Sequence, residues 1–428
     1  MTRFRTDLDL ADAADAHRWS LDEPEAFWRA VWDRCGVRGE PGPGVVEAAP
    51  NMWATRYFPH ARLNVVDTIL DGRGAAPDDP VVVSRDERGE RRTLTRAELR
   101  AEVAAVAAAL RADGVVAGDR VATWMPNVAE TLVVMLGAAA IGAVFSSTSP
   151  DFGVDGVLDR FGQIEPTVLV AADGYTYGGK RLDCLDRLDP ILDALPTVRR
   201  AVLVAHLDPG AVSGRTTGWD EWLAPHRGAP LETTPLPFDH PWYVLYSSGT
   251  TGVPKCIVHR AGGILLQHLK EHQLHCDIRP GDRVMYFTTC GWMMWNWLAS
   301  VPASGASVVL YDGSPFHPSP TSLLDLAIEE DLTFLGVGAK YLDALKKSGA
   351  APRTSHPMPG LRTLASTGSP LVAETFDWIY DEMAPDVHLA SISGGTDLCG
   401  CFVGGDPTLP VWSGEIQGPA LGMAVEVW

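Results

Sequence analysis

Positive charge is scarce in this chain. It carries 35 Lys and Arg against 54 Asp and Glu, a formal net charge of -19, and no lysine follows Lys347. Phosphate backbones are bound through positive surface and counterion release, so the balance argues against nucleic acid as a partner. A small anionic ligand is not excluded, because a few N–H groups and one lysine create enough local potential inside an acidic protein. A bilayer-length apolar run is also missing. The longest, Leu132 to Phe145, is interrupted by glycines and falls short of the roughly 18–20 residues a membrane requires, so it reads as a buried helix and no membrane partner is expected. The start, Met1-Thr-Arg-Phe-Arg-Thr-Asp7, lacks the apolar core of a secretory signal, and the expected location is the cytoplasm. The seven cysteines have neither paired C-x-x-C spacing nor a dense pattern, which points to reduced, mostly buried thiols. Cys399-Gly-Cys401 has no second pair to complete a metal site. Gly-x-Ser-x-Gly and Gly-x-Gly-x-x-Gly do not occur, so serine hydrolase and Rossmann dehydrogenase fall away.

What is present is enough apolar material for one large or two ordinary cores: 428 residues, 46% apolar, mean hydropathy +0.01. Strand-like runs alternate with helical ones, the pattern of an α/β fold with mostly parallel sheets covered by helices. A first set runs through Val121–Met125, Ala143–Ser146, Val168–Ala171 and Ala201–Val204, behind a capping box at Thr95-Arg-Ala-Glu98. A second runs through Tyr243–Tyr246, Val284–Phe287, Val308–Leu310, Phe334–Val337, Leu361–Leu364 and His388–Ser391. The stretch from about Leu207 to Pro241 between them is rich in Pro, Gly, Ser and Thr. The expected division is therefore an N-terminal extension over 1–60, a first doubly wound subdomain over 61–235 and a second over 236–428. Ligands of such folds bind outside the carboxyl ends of strands, where Thr250, Thr367 and Ser393 would lie.

Ser247-Ser248-Gly249-Thr250-Thr251-Gly252-Val253-Pro254-Lys255 follows the run Trp242–Tyr246 and concentrates hydroxyls, glycines and a lysine. Glycine lets backbone N–H groups turn inward, hydroxyls add donors, and Lys255 adds a point charge, so the loop suits phosphate. The plainer alternative is a Ser/Gly-rich surface turn. It is not a Walker loop, since Val253 and Pro254 separate the second glycine from the lysine and no hydroxyl follows. The order resembles the phosphate loop of the acyl-adenylate-forming, AMP-binding superfamily.

Two further turns extend that resemblance. Ala365-Ser-Thr-Gly-Ser-Pro370 is similar to the family turn against the adenine ring, which implies nucleotide contacts from Gly368, Ser369 and Pro370. Ser393-Gly394-Gly395-Thr396-Asp397 resembles the motif whose threonine touches the α-phosphate and whose acid helps hold Mg²⁺. Asp397 stands where most relatives carry Glu, one methylene shorter, which leaves direct or water-bridged ligation open. An ordinary helix cap at Thr396-Asp397 is the structural alternative. By the same resemblance Trp292, Met293 and Met294 wall the acyl pocket with Thr367, although a Met/Trp stripe alone reads as core. Gly394 replaces a tryptophan that closes the acetate pocket of related ligases, which implies room for a longer but still short acid.

Ser147–Pro166 and Trp292–Trp297 resemble the branch of the family that joins acetoacetate to coenzyme A. That resemblance implies attack of a carboxylate on the α-phosphate of ATP and then displacement of AMP by the coenzyme A thiol, with Lys255 and Thr396 as the catalytic groups. Acetyl, propionyl or another short acid is the alternative substrate. Lys180, in Tyr177-Gly-Gly-Lys180, sits where relatives hold the phosphates of coenzyme A, and is otherwise a solvated turn lysine. Members of the family continue through a hinge and a mobile C-terminal domain with an adenylation lysine, so the chain is expected to be a fragment with little activity alone, or a nucleotide binder without chemistry. A reading of another class is a zinc protease through His268, Glu271 and His272, an H-x-x-E-H pattern with His275 one turn on.

Overall fold

The computed structural model of the chain describes residues 1–247 and 252–428, so Ser248, Gly249, Thr250 and Thr251 of the expected phosphate loop lie outside the described residues. Two seven-stranded sheets dominate. The first runs Thr217–Gly218, Arg200–Val204, Val168–Ala172, Arg120–Trp124, Val144–Thr148, Pro241–Ser247, Lys255–Arg260 across its width. The second runs His388–Ser391, Thr363–Thr367, Phe334–Gly338, Arg283–Tyr286, Ser307–Asp312, Pro80–Asp86, Arg91–Thr95. Each is parallel except at one edge, where Lys255–Arg260 and Arg91–Thr95 return antiparallel to their neighbours. Strands such as Val168–Ala172 are buried along their whole length, as expected for a sheet covered on both faces. The α/β expectation and every strand-like run of both sets are found in place.

The sheets do not divide at residue 235. The hairpin Pro241–Arg260 completes the first sheet, and the early strands Pro80–Asp86 and Arg91–Thr95 complete the second. Hydrophobic periodicity identifies strands, but register with a distant neighbour decides which sheet receives them.

The capping box forms as its spacing predicts. Thr95 Oγ1 accepts from the Glu98 backbone N–H at 3.2 Å and the Thr95 N–H donates to the Glu98 carboxylate at 2.8 Å, opening helix Arg96–Ala112. The adjacent helix Ala129–Ala140 packs closely on it at Gly137, where a Cβ would lie 2.5 Å from a Val106 methyl. Among the described residues no helix is long and apolar enough to cross a membrane.

Residues 1–60 are integral. Helix Pro24–Cys35 starts with a proline and ends at Gly36 in the left-handed conformation. It buries Phe27, Val31, Trp32 and Cys35 in the largest core cluster, with the Trp32 ring 4.9 Å from that of Phe58. The same cluster takes Val121 and Phe145 from the first sheet and Val284 and Phe334 from the second, so one continuous core joins both.

Candidate active site

Lys255 opens the strand Lys255–Arg260 and pairs in register with Ser247, so the expected phosphate loop connects two strands of a hairpin. A strand therefore separates it from helix Ala261–Lys270. Lys255 and Gly252 are exposed, and Ser247 is half-buried. Helix Val154–Ile164 braces both ends of the connection. The Arg160 guanidinium lies 4.2 Å from the centroid of the Phe152 ring and 5.7 Å from that of Tyr246, just before the loop, while Gln163 Nε2 donates to the Pro254 carbonyl, just after it, at 2.8 Å. The attraction of the cation to two aromatic faces ties the helix to the strand, although burial of the guanidinium lowers its pKa.

The other two turns meet at the carboxyl ends of the second sheet. Thr367 Oγ1 donates to the Ile392 carbonyl at 3.0 Å, and the Ile392 N–H donates to the Ser366 carbonyl at 2.9 Å. Gly368, Ser369 and Pro370 follow at the open end of strand Thr363–Thr367. Ser393–Gly395 and Gly400–Gly404 form a hairpin with Thr396 and Asp397 in its turn, so the helix-cap alternative is corrected. Asp397 is exposed and Thr396 half-buried. His259 joins this hairpin to the phosphate-loop strand. It is buried on Lys255–Arg260 and faces the Thr396 backbone and the Asp397 carboxylate, whose pull on its proton is outweighed by burial, so its pKa is lowered. Lys255 and His259 share one face of their strand. That alternation was the available signal for His259, and the sequence reading missed it.

Gly394 does not act as open space. A Cβ there would lie 1.9 Å from the Gly400 carbonyl oxygen across the hairpin, and one on Gly400 would lie 2.7 Å from both Gln267 Nε2 and Glu271 Oε1. These two glycines let the hairpin press flat onto the helix beneath, and an indole at 394 would meet backbone. The expectation that Gly394 simply vacates a side chain's volume is corrected accordingly.

Trp292, 65% exposed, caps helix Met293–Ala299, on which Met293 and Met294 are half-buried. Trp295 Nε1 donates to Asn127 Oδ1 at 2.9 Å, and Ser147 Oγ donates to the Cys290 carbonyl at 2.6 Å, so this wall is tied to the first sheet. Lys180 stands apart. Its hairpin is held where the Gly178 and Gly179 N–H groups donate to the Glu87 carboxylate at 3.0 and 2.7 Å, and its own side chain is exposed.

The zinc reading is overturned. His268 Nδ1 and Nε2 bond Ser300 Oγ and the Cys399 carbonyl, both at 2.9 Å, His272 Nε2 bonds the Trp297 carbonyl at 3.1 Å, and Glu271 accepts from Gln267, Trp297 and Cys401. Among the described residues no group of three His, Cys, Asp or Glu could hold a metal. A cavity of about 730 Å³ lies elsewhere, between the N-terminal helices and Gln273–Pro280, and holds none of the expected site residues.

Comparison with known proteins bears on this arrangement. The chain is 51% identical over 423 residues to the acetoacetyl-coenzyme A synthetase of Rhizobium meliloti (strain 1021), covering 98% of this chain and 64% of that protein. It superposes on the acetoacetyl-CoA synthetase from Streptomyces lividans with a TM-score of 0.93 at 43% identity, over 98% of this chain and 65% of the other. A malonamoyl-CoA synthetase of Penicillium aethiopicum is 40% identical over 97% of this chain and 61% of its own length. The chain thus spans a little under two thirds of the length of these relatives. The sequence model of the family described as AMP-binding enzyme matches residues 73–427, which include both sheets, the hairpin around Lys255 and the turns at Thr367 and Thr396: the chain belongs to the AMP-binding enzyme family.

Proposed function

We propose that this chain supplies the adenylate-forming part of an AMP-forming acid–thiol ligase that joins acetoacetate to coenzyme A. The observation that carries the reading is the meeting of three elements, the strand Lys255–Arg260, the Thr367 turn and the Thr396–Asp397 turn, through His259 and the Thr367–Ile392 hydrogen bond. The substrate follows from the relatives. Acetoacetyl and malonamoyl groups are both short and both carry a carbonyl on the third carbon, a feature that acetyl and propionyl groups lack.

A carboxylate oxygen of acetoacetate attacks the α-phosphorus of ATP, forming the acyl–phosphate bond as pyrophosphate leaves. The sulfur of coenzyme A then attacks the acyl carbon, its proton passes to solvent, and AMP leaves. Lys255, Ser247 and the hydroxyls and N–H groups of Ser248, Gly249, Thr250, Thr251 and Gly252 offset the charge of the outer phosphates. Thr396 orients the α-phosphate, with Ser393 and the Gly394 and Gly395 backbone beside it. Gly368, Ser369 and Pro370 hold the adenine, and Lys180 meets a phosphate of coenzyme A. Mg²⁺ typically takes one or two carboxylates plus substrate phosphates, and exposed Asp397 fits that role, with the ion supplying charge neutralisation when bound.

The test is thermal stabilisation of this chain by acyl-sulfamoyl-adenosines bearing acetoacetyl, acetyl, butyryl and octanoyl groups. A ligand at 100 times its Kd adds about 2.7 kcal/mol, enough to rank them, and the acetoacetyl compound is expected to stabilise most. Preference for the acetyl or octanoyl compound would overturn the substrate, and no shift with any of them would overturn the adenylate site.

A further inference from the structure

We infer that the side-chain amide of Asn296 reads the carbonyl on the third carbon of the acyl group, as the donor that separates a 3-oxo acid from the saturated acid of equal length. The inference rests on the function proposed above and adds the residue that selects the substrate.

Asn296 is 1% exposed, and among the described residues neither its Oδ1 nor its Nδ2 meets a hydrogen-bond partner. Its neighbours are committed: Trp295 Nε1 to Asn127 and Trp297 Nε1 to Glu271 Oε2 at 2.8 Å. Burying an amide without partners costs about 1–3 kcal/mol, and leucine would fill a similar volume without that cost. A polar group kept at such a position, in the otherwise apolar helix Met293–Ala299, suits a partner that arrives with the ligand.

Geometry places it on the right wall. Met293 and Asn296, three residues apart, share a helix face. Met293 is half-buried and Asn296 is enclosed, one turn further along the same face, which sets the amide beside the segment expected to wall the acyl pocket. The Thr289 and Ser366 hydroxyls, near the expected pocket, are also buried without a partner among the described residues, but a hydroxyl rotates to suit donor or acceptor and selects a ketone less strictly than an amide N–H. The Thr288 hydroxyl donates to the Thr289 carbonyl at 3.4 Å, and Ser393 is exposed. The Tyr286 hydroxyl is buried and uncommitted, but its ring lies over Gly336 of the neighbouring strand.

An amide N–H donates to a ketone oxygen. The methylene of a butyryl group offers no acceptor and would leave that N–H unpaired, so discrimination by a buried donor exceeds what volume alone supplies.

The test measures the Kd of acetoacetyl- and butyryl-sulfamoyl-adenosine for the chain and for Asn296→Leu and Asn296→Ala. The unsubstituted chain should favour the acetoacetyl compound roughly tenfold or more. Both variants should bring the ratio close to one, chiefly by losing acetoacetyl affinity. The ligand-free melting temperature of Asn296→Leu should equal or exceed that of the parent, which a merely structural amide would not allow. A variant that keeps the parental ratio overturns the inference, as does a parent that binds both compounds equally; the second result leaves a short-chain ligase standing. If Asn296→Leu does not fold, the Asn296→Ala ratio decides. A parent that binds neither compound overturns the proposed function, and this inference with it.

Discussion

Gly394 is the residue whose meaning changes most between sequence and structure. Read along the chain, a glycine in place of a large side chain means space. Read across the hairpin, it means contact, because its missing Cβ would sit 1.9 Å from the Gly400 carbonyl oxygen. The flexible end of a side chain can move away from such a clash, but a carbonyl held in a strand pair cannot. Gly394→Ala should therefore displace the hairpin and cost about 1–3 kcal/mol in urea unfolding, the range typical of overpacking. It should also weaken adenylate-analogue binding through Thr396. An alanine variant as stable as the parent would show that the hairpin yields and would restore the open-space reading. Lys255, Thr367 and Thr396 stand out as candidates in the sequence because the chemistry expected of them is written into short motifs. His259 and Arg160 do not, since a lone histidine or arginine acquires its role only from the partner brought opposite, here the Thr396–Asp397 turn and the Tyr246 ring.

At the scale of elements, the segment Ala261–His275 is the clearest case of a pattern with two readings. Histidines one turn apart can bind metal, or they can be neutral members of a core. Burial decides for the second: it drives the pKa of His268 down to about 3 and that of His275 to about 4, and holds His272 well below the ordinary value. In the unfolded chain the same groups titrate near 6.5. Between about pH 4 and 6.5 the unfolded state therefore binds more protons, and stability rises with pH across that window and is lost as pH falls. Glu271, whose pKa burial raises, works in the opposite sense and reduces the slope. The net expectation is an uptake of protons on unfolding across that window, so stability falls as pH falls. Urea midpoints measured from pH 5 to 7 check this, and His275→Asn should shallow the slope. A flat profile would mean that these rings are charged in the folded protein.

At the scale of the whole molecule, the strands were readable but their assembly was not. Alternation and apolar runs depend on a few adjacent residues, whereas the placement of Pro80–Asp86 beside Ser307–Asp312 depends on register with a strand more than 220 positions away in sequence. The consequence is mechanical. Each sheet draws strands from both halves of the chain, and one core cluster runs from Phe27 and Trp32 through both sheets to Leu421. The first residues also hold the last described turn, through Ser20 Oγ, which accepts from the Gly422 N–H at 2.8 Å, and His17 Nε2, which bonds the Met423 carbonyl at 3.0 Å. Neither half has a complete sheet to fall back on, so unfolding should be a single transition in which circular dichroism and tryptophan fluorescence coincide. Trp32→Ala, which removes a buried indole packed on Phe58 and Phe238, should lower the stability of the whole by about 3–5 kcal/mol and shift both probes together. Two separated transitions, with only one moved by Trp32→Ala, would mean that the two sheets are independent folding units despite the strands they exchange.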